Sequence, residues 1–337
     1  MLDVGNGAEL SNIRLLTSDL YFGRMTRGRF HGYPVTLPGL RKPLSRDKRF
    51  RTLIASDFCS RKVEVSVDIL ERIDDWRTSY GRWNQGRGAG AAKNDVGDGY
   101  PFVENKRAPF TPARRALPMM NLAVISSAGA YIDGTLPFDT SSTDGDVTIR
   151  EIPREVEAED LRYAGRGYDT ASVVADMNAQ IPIRRLLEFE SNGIIGQVNT
   201  VWWSFSGFIP NAARVVDTLI PSLVERVKRY EVQAALLIPA SRLCHQSVGL
   251  VARALEMERI PTMMLAVERS VIGKVRPPRA GYYKGDFGSV AGKPNWPEHQ
   301  RRVLDQALRW IEPIDQPTIG KLVVELESEV EKERGER

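Results

Sequence analysis

An α/β fold is predicted: a doubly wound, mostly parallel sheet with an irregular N-terminal extension and a C-terminal helix. Three observations predict it. From residue 119 onward strand-like and helix-like segments alternate at the spacing of βαβ units. The first strand segment closes on small residues. The first helical segment after it carries its own start and stop signals.

In order, "MMNLAVISSAG" reads as a buried strand, and "IPIRRLLEFESNG" as a helix with Pro182 near its first turn and Asn192-Gly193 at its stop. "IIGQVNTVW" is a strand. "NAARVVDTLIPSLVERVKRY" is helical, with Val216, Ile220, Leu223 and Val227 on one face. Pro221 should kink or divide that helix, since an interior proline costs ~3 kcal/mol. Strand "VQAALLIPA", a helix over 243–258, strand "IPTMMLAV", extended "PRAGYYK" and helix "WPEHQRRVLDQALRWIE" follow. "TIGKLVVELESEVEKERGER" reads as a charged helical tail.

The α/β domain is therefore expected over 119–312, with the helical tail over 313–337. Residues 1–118 form an irregular segment with one helix inside "VEVSVDILERIDDWRTSYGRW", where Val65, Ile69, Ile73 and Trp76 recur at helical spacing. The glycine-rich linker "NQGRGAGAAKNDVGDGYP" comes next. Its "GRGAG" follows no strand and precedes no Lys-Ser/Thr, so it does not read as a phosphate loop.

Composition narrows the function. The chain has 337 residues, 42% of them hydrophobic and 27% charged, with a net charge of +4, the balance of a globular protein. The arginines are dispersed, and even "GLRKPLSRDKRFR" reads as a solvated surface, which argues against nucleic acid. No run of 18 apolar residues occurs and the N-terminus has no signal-peptide pattern, so no membrane partner and a cytoplasmic location are expected. Cys59 and Cys244 make no disulfide framework and suit a reducing compartment. His31, His245 and His299 are far apart in sequence, and no metal is expected.

The functional signal is "LLIPASRLCHQSVGLVARALE", where a strand bends into a helix at Ser241-x-x-Cys244-His245. Ligands of such sheets sit at the carboxyl ends of the strands, here in "SSAGAYIDG", "NTVWWSFSGF" and "PASRLCHQS". With Ser241 as N-cap, Cys244 falls on the third helical position, where free N–H groups and the helix dipole favour a thiolate, and a protonated His245 would add to this. The same pattern describes an ordinary capped helix with a small buried cysteine.

"PFDTSSTDGDVTIREIP", "GYDT" with "ADMNAQIPIRRL", "SFSGFIPN" and "CHQSVGLVARALEMERIPT" occur in an order that resembles the selenoprotein B subunits of glycine, sarcosine and betaine reductases and their D-proline reductase relatives, over about residues 101–312. In that family the bend carries a selenocysteine or cysteine, two residues, then a cysteine. The resemblance implies reductive cleavage of a C–N bond α to a carboxylate by an ionised, soft chalcogen. It puts Ser241 at the nucleophile position and makes Cys244 the second thiol. A serine hydroxyl is neither soft nor ionised, so three explanations stand: an engineered replacement, chemistry moved onto Cys244, or loss of reaction with binding retained.

By the same resemblance Asp139, Asp146 and Arg150 lie beside the site, Tyr168 and Asp169 match a Tyr/Phe-Asp pair, and Asp176 with Asn178 match a downstream turn. Read as a calcium loop, the 140–151 stretch fails, because Thr140 and Ser142 would hold the first and third ligand positions. Trp202, Trp203 and Phe205 offer pocket walls or core. Arg276 and Arg279 offer a carboxylate clamp.

The expected function is a selenoprotein B-like reductase acting on a small polar nitrogen-containing substrate. Its site residues are Ser241, Cys244 and His245, with Asp139, Asp146, Arg150, Tyr168, Asp169, Trp203 and Arg276 binding substrate. No cofactor is evident, and an external thiol reductant, from a thiol-reductant protein or a partner subunit, is expected, as is a homo-oligomer. The alternatives are a non-catalytic binding protein and a non-redox lyase or hydrolase using Cys244 or Ser241, with His245 as the only neighbouring base.

Overall fold

The computed structural model describes residues 68–86, 96–97 and 99–324. Cys59, the basic stretch at 39–51, most of the glycine-rich linker and the charged tail from 325 lie outside the described residues. A 14-residue helix, α1 (Ile73–Gly86), opens this part of the chain; Asp74 and Asp75 in its first turn suit the positive end of the helix dipole. It begins well after Val65, so Ile69 precedes it, while Trp76 and Tyr80 are its buried face.

The sheet runs from β10 (Thr318–Lys321) at one edge through β9 (Arg279–Tyr282), β8 (Thr262–Ala266), β7 (Ala234–Ile238), β1 (Asn121–Ser126) and β6 (Val201–Phe205) to β3 (Ile149–Pro153) at the other, with β5 (Gln197–Val198) alongside β1. The chain forms β1, then a short ribbon of β2 (Ala130–Ile132) and β4 (Leu161–Tyr163) with β3 (Ile149–Pro153) between them in sequence. The short α2 (Ala171–Ala175) and α3 (Ile183–Ser191) lead to β5 (Gln197–Val198) and β6 (Val201–Phe205). Those two continue one lane beside β1, interrupted at Asn199, whose side chain bonds Asn121 and the Val201 carbonyl.

Next come α4 (Ala212–Arg214), a π-helical turn at Val215–Leu219, and α5 (Ile220–Arg229). The π turn answers the expectation for Pro221. Widening the ladder to a bond from Ile220 N–H to the Val215 carbonyl makes room for a ring that cannot donate, and the helix continues with α-range dihedrals. Then β7 (Ala234–Ile238), α6 (Arg242–Met257), β8 (Thr262–Ala266), α7 (Arg269–Val275), β9 (Arg279–Tyr282), α8 (Pro297–Leu308) and β10 complete the domain.

The sheet is mixed and mostly parallel. β3 runs antiparallel to β6 at one edge, pairing Arg150 with Ser204. Thr318–Lys321, expected to be helical, is a parallel strand beside β9, because Leu322 and Val324 beyond it are buried and the Leu322 N–H bonds the Tyr282 carbonyl. Alternate strand residues feed two cores. Ala123, Ile125, Ala235 and Leu237 pack with α1, α5, α6 and α7, while Leu122, Val124, Leu236 and Ile238 pack with α3 and α8. Helices therefore flank both faces.

α6 is buried from Leu243 to Glu256, polar residues included. Its polar side binds the extended stretch that precedes β1. Gln246 accepts from Val103 N–H, and Glu256 accepts from Thr111 N–H. The fully buried Arg253 donates to the carbonyls of Asp68, Ile69, Arg107 and Arg276. Among the described residues no helix is long and apolar enough to cross a membrane.

Candidate active site at the strand-helix bend

β1 lies between β6 and β7, both parallel to it, and the loops leaving these strands divide around it at the carboxyl edge of the sheet. Ser127 stands at that division. Its N–H bonds the Ile238 carbonyl, its Oγ accepts from Ala240 N–H at 3.0 Å, and its carbonyl accepts from Gly207 N–H at 3.3 Å. Three strand ends are thereby tied to one residue.

Ser241 caps α6 in an extended conformation, its Oγ accepting from Cys244 N–H at 3.3 Å. The same hydroxyl donates to Cys244 Sγ at 3.0 Å, and the thiol points its hydrogen toward the Ser127 carbonyl, 3.9 Å away. Both side chains are 1% exposed. Gly207 leaves the thiol its space, since a Cβ there would lie 2.7 Å from Sγ and 2.4 Å from Ser127 Cβ.

His245 is fully buried, with both ring nitrogens engaged. Nε2 accepts the N–H groups of Val267 and Glu268 at 3.1 and 3.3 Å. The proton must then sit on Nδ1, which donates to the Ser241 carbonyl at 2.7 Å. Burial pushes its pKa down to about 4, against the pull of the Ser241 carbonyl and the Glu268 charge. The ring is therefore neutral near pH 7 and ties the bend to the β8–α7 loop. It supplies no cation for a thiolate, and with both nitrogens occupied it offers Ser241 Oγ no base, which removes support from a His-activated serine hydrolase.

A linkage prediction follows. A histidine with a depressed folded-state pKa contributes stability that is present above its unfolded value of about 6.5 and is lost as pH falls toward 4. His245→Gln, whose amide oxygen can still accept from the β8–α7 loop, should flatten this loss, worth up to about 3 kcal/mol across that window. Urea unfolding of both proteins from pH 4 to 7 checks it; parallel slopes would contradict the buried neutral ring.

The bend is covered from other loops. A Cβ on Gly167, which has φ of +80°, would lie 3.2 Å from Ser241 Oγ and 2.8 Å from the Phe208 ring. Tyr168 donates its hydroxyl to the Ala128 carbonyl at 2.6 Å; burial first, then the neighbouring Cys244 and Tyr163, push its pKa well up, so it remains a donor. Gly288 N–H bonds the Ala240 carbonyl, and the Phe287 ring meets His245 at 5.9 Å.

The other expected site residues divide. Asp146 accepts from Asp139 N–H and from Thr148, while Asp139 accepts from Ser141 and Ser142. Arg150 stacks on Phe138 and donates to the Leu136 and Pro137 carbonyls. These three shape the 136–150 loop, which meets the bend's cover where Gly145 packs on Phe208 and Ile209. Asp169 bonds Ala171 N–H at the start of α2. Asp176 and Asn178 bond each other, and Asp176 also takes Gln300 and Asn295 N–H. Trp203 is fully buried in the core against Tyr230, as Trp202 and Phe205 are buried, so it walls no pocket. Arg276 ends α7 in a left-handed conformation at the amino edge of the sheet, opposite the bend, and bonds the Lys106 carbonyl. Arg279 is committed to Glu256, so the two arginines form no clamp.

Ser127, Arg166, Gly167, Gly207 and Phe208 were not singled out from sequence. Their common signal was position, each lying shortly after a strand end. Among the described residues no cluster of His, Cys, Asp and Glu is arranged to hold a metal ion.

The chain is 28% identical over 214 residues to the D-proline reductase subunit gamma of Acetoanaerobium sticklandii, covering 64% of this chain and 86% of that one. It is 24% identical over 169 residues to the glycine reductase complex component B subunit gamma of Symbiobacterium thermophilum, and 25% identical over 172 residues to the sarcosine reductase complex component B subunit beta of Peptoclostridium acidaminophilum. These two matches cover about half of this chain and only 38% of each relative. No family model matches, and no solved structure matches. The chain is thus homologous to subunits of multi-subunit reductase complexes.

Proposed function

We propose that this chain is a selenoprotein B-like reductase subunit whose chemistry is seated at the Ser241–Cys244 bend. The observation that carries this is the 3.0 Å approach of Ser241 Oγ to Cys244 Sγ in the first turn of a buried helix, at the carboxyl edge of the sheet. Position 241 takes the nucleophile's place, Cys244 is the second thiol, and His245 is a positioning residue that fixes the bend as a neutral ring. Tyr168 and Asp169 border the site, and the loop shaped by Asp139, Asp146 and Arg150 covers it.

With a thiol or selenol at 241, the reaction balances as follows. The ionised chalcogen attacks the carbon α to a carboxylate, the C–N bond breaks, and the amine leaves with the electron pair and takes a proton. Two electrons from an external dithiol then cleave the new carbon–chalcogen bond, leaving a C–H bond and a disulfide. The dithiol would come from a partner protein or subunit in a reducing cytoplasm, which would also keep Cys244 reduced. The relatives act, by name, on D-proline, glycine and sarcosine, and a small amino acid of that kind is the proposed substrate.

The test supplies dithiothreitol and, in turn, D-proline, glycine and sarcosine to Ser241→Cys and Ser241→Ala variants. Dithiol consumption by Ser241→Cys alone is expected, with release of ammonia from glycine or methylamine from sarcosine, or ring opening of D-proline to a linear amino acid. Equal background in both, with every substrate, would count against a reductase site. A second reading, binding without turnover, is favoured by serine at 241 with no free base beside it. It predicts that the wild-type chain binds the amino acid and consumes no dithiol.

A further inference from the structure

We propose a second binding site on this chain, a cationic cleft at the amino edge of the sheet that takes a phosphate monoester of the nucleoside monophosphate class. It goes beyond the reductase reading and does not depend on it. The cleft has a volume of about 610 Å³, the size of a small-molecule site. Its lining comes from the end of α7, the start of β10 and the extended stretch before β1. Lys106, Arg107 and Arg276 supply its charge, and no described carboxylate lines it. Pro277, Pro317 and Ile319 supply an apolar wall.

The cleft is remote from the bend. α6 begins beside Ser241, and Arg253, 12 residues further on, lies roughly 18 Å along the axis at about 1.5 Å per residue. The buried Arg253 guanidinium donates to the Arg107 and Arg276 carbonyls at 2.6 and 3.0 Å, which anchors the backbone of two of the cleft's cations to one group.

The same bonds explain why an anion would be accepted. Free loop carbonyls would repel one, and here they are engaged elsewhere. Those of Arg107 and Arg276 go to Arg253, those of Lys274 and Val275 to Asn105, and that of Lys106 to Arg276 at 2.6 Å. Glu71 takes the N–H groups of Lys106 and Arg107 and lies 3.9 Å from Arg253, so its field reaches Arg107 without an ion pair to any cleft side chain. Among the described residues the Lys106 ammonium and the Arg107 guanidinium have no hydrogen-bond or ion-pair partner, and Arg276 uses only one amino group. Two guanidinium groups and an ammonium around one cleft suit a tetrahedral dianion, which accepts from several directions, better than a planar carboxylate, which a single guanidinium matches. The proline and isoleucine wall suits a flat ring at the other end of the same molecule. α7 leaves the cleft open at Gly273, where an added Cβ would meet nothing within 4 Å.

Calorimetric titration of the full chain at low salt with adenosine monophosphate, adenosine and inorganic phosphate tests this. The monophosphate is expected to bind with a Kd of about 1 mM or tighter, inorganic phosphate more weakly, and adenosine not measurably. Arg107→Gln/Arg276→Gln should weaken the monophosphate about tenfold, roughly threefold for each exposed charge. Arg301→Gln, which removes a cation on α8 paired with Glu188, should leave it unchanged. Gly273→Asp should weaken binding by a similar factor, because it adds a carboxylate where no atom stands, while Gly273→Ala should bind as the wild type does. Adenosine binding as tightly as its monophosphate overturns the proposal. So does affinity unchanged in both Arg107→Gln/Arg276→Gln and Gly273→Asp, or the absence of saturable monophosphate binding to the wild type. None of these outcomes bears on the dithiol assay at Ser241, so the two readings fail separately.

Discussion

Replacing Arg279 with methionine should lower the melting temperature by roughly 10 °C, the consequence of about 3–5 kcal/mol for removing one partner of a buried ion pair. Arg279 and Glu256 are both fully buried and meet at 2.5 Å. Glu256 also accepts from Thr111 N–H, Thr262 N–H and Thr262 Oγ1, while Arg279 donates to the Thr111 carbonyl and covers the Phe110 ring. The pair thus fastens the extended stretch before β1 to the C-terminal half of α6.

The sign of the pH dependence is fixed by burial. Burial pushes the Glu256 carboxyl up to about 7, against the pull of Arg279 and the backbone donors. A raised folded-state pKa means that the folded protein holds its proton longer than the unfolded chain, so stability falls as pH rises from about 4.5 to 7. Without Arg279 this fall should steepen, making the deficit of Arg279→Met larger at pH 8 than at pH 5. Thermal melts at both values check this. A deficit below about 1 kcal/mol, or one independent of pH, would show the pair to be dispensable.

That fastening explains why part of the fold was illegible in the sequence. Strands such as "AALLI" and "TMMLA" are buried at every residue, and their apolar runs betray them. The stretch over 99–111 is held through its backbone by Gln246, Arg253 and Glu256, so its own side chains carry little pattern. α6 buries its polar residues along with Val248, Val251 and Leu255, and those polar side chains receive that stretch. β3 was missed because four of its five residues are only partly buried or exposed, at the antiparallel edge. The tail strand β10 was taken for helix because the charged, helix-like residues after it outweighed four residues of "TIGK".

The candidate site shows the same division. The capped helix start at Ser241 was legible because it is a local pattern. The state of His245 was not, since the Val267 and Glu268 N–H groups that neutralise its role come from a loop 22 residues downstream. Ser127, Gly167, Gly207 and Phe208 converge on the bend from three separate connections, and small residues after strands carry no chemical signature in isolation. Asp139, Asp146 and Arg150 are expected beside the site from the resemblance alone, and most of their bonds stay within the loop itself.

The second large effect concerns the bend directly. Ser241→Cys should place two thiols about as close as the present 3.0 Å contact between Oγ and Sγ, across one helical turn. Thiols at a helix start benefit from free N–H groups and the dipole, and a sulfur so placed is an efficient partner for disulfide exchange. Because the reaction is internal, it needs no reagent to penetrate a bend that is 1% exposed at both residues. It therefore reports the geometry and the chemistry together.

The measurement is the mass of Ser241→Cys after mild oxidation and again after dithiothreitol, with Ser241→Cys/Cys244→Ala alongside. A site built for paired chalcogen chemistry predicts near-complete, reversible loss of two hydrogens within one chain, bridging positions 241 and 244, and no such loss in the double variant. Thiols at 241 and 244 that stay reduced, or that link only between chains, would contradict a redox bend and leave Ser241 as an ordinary helix cap.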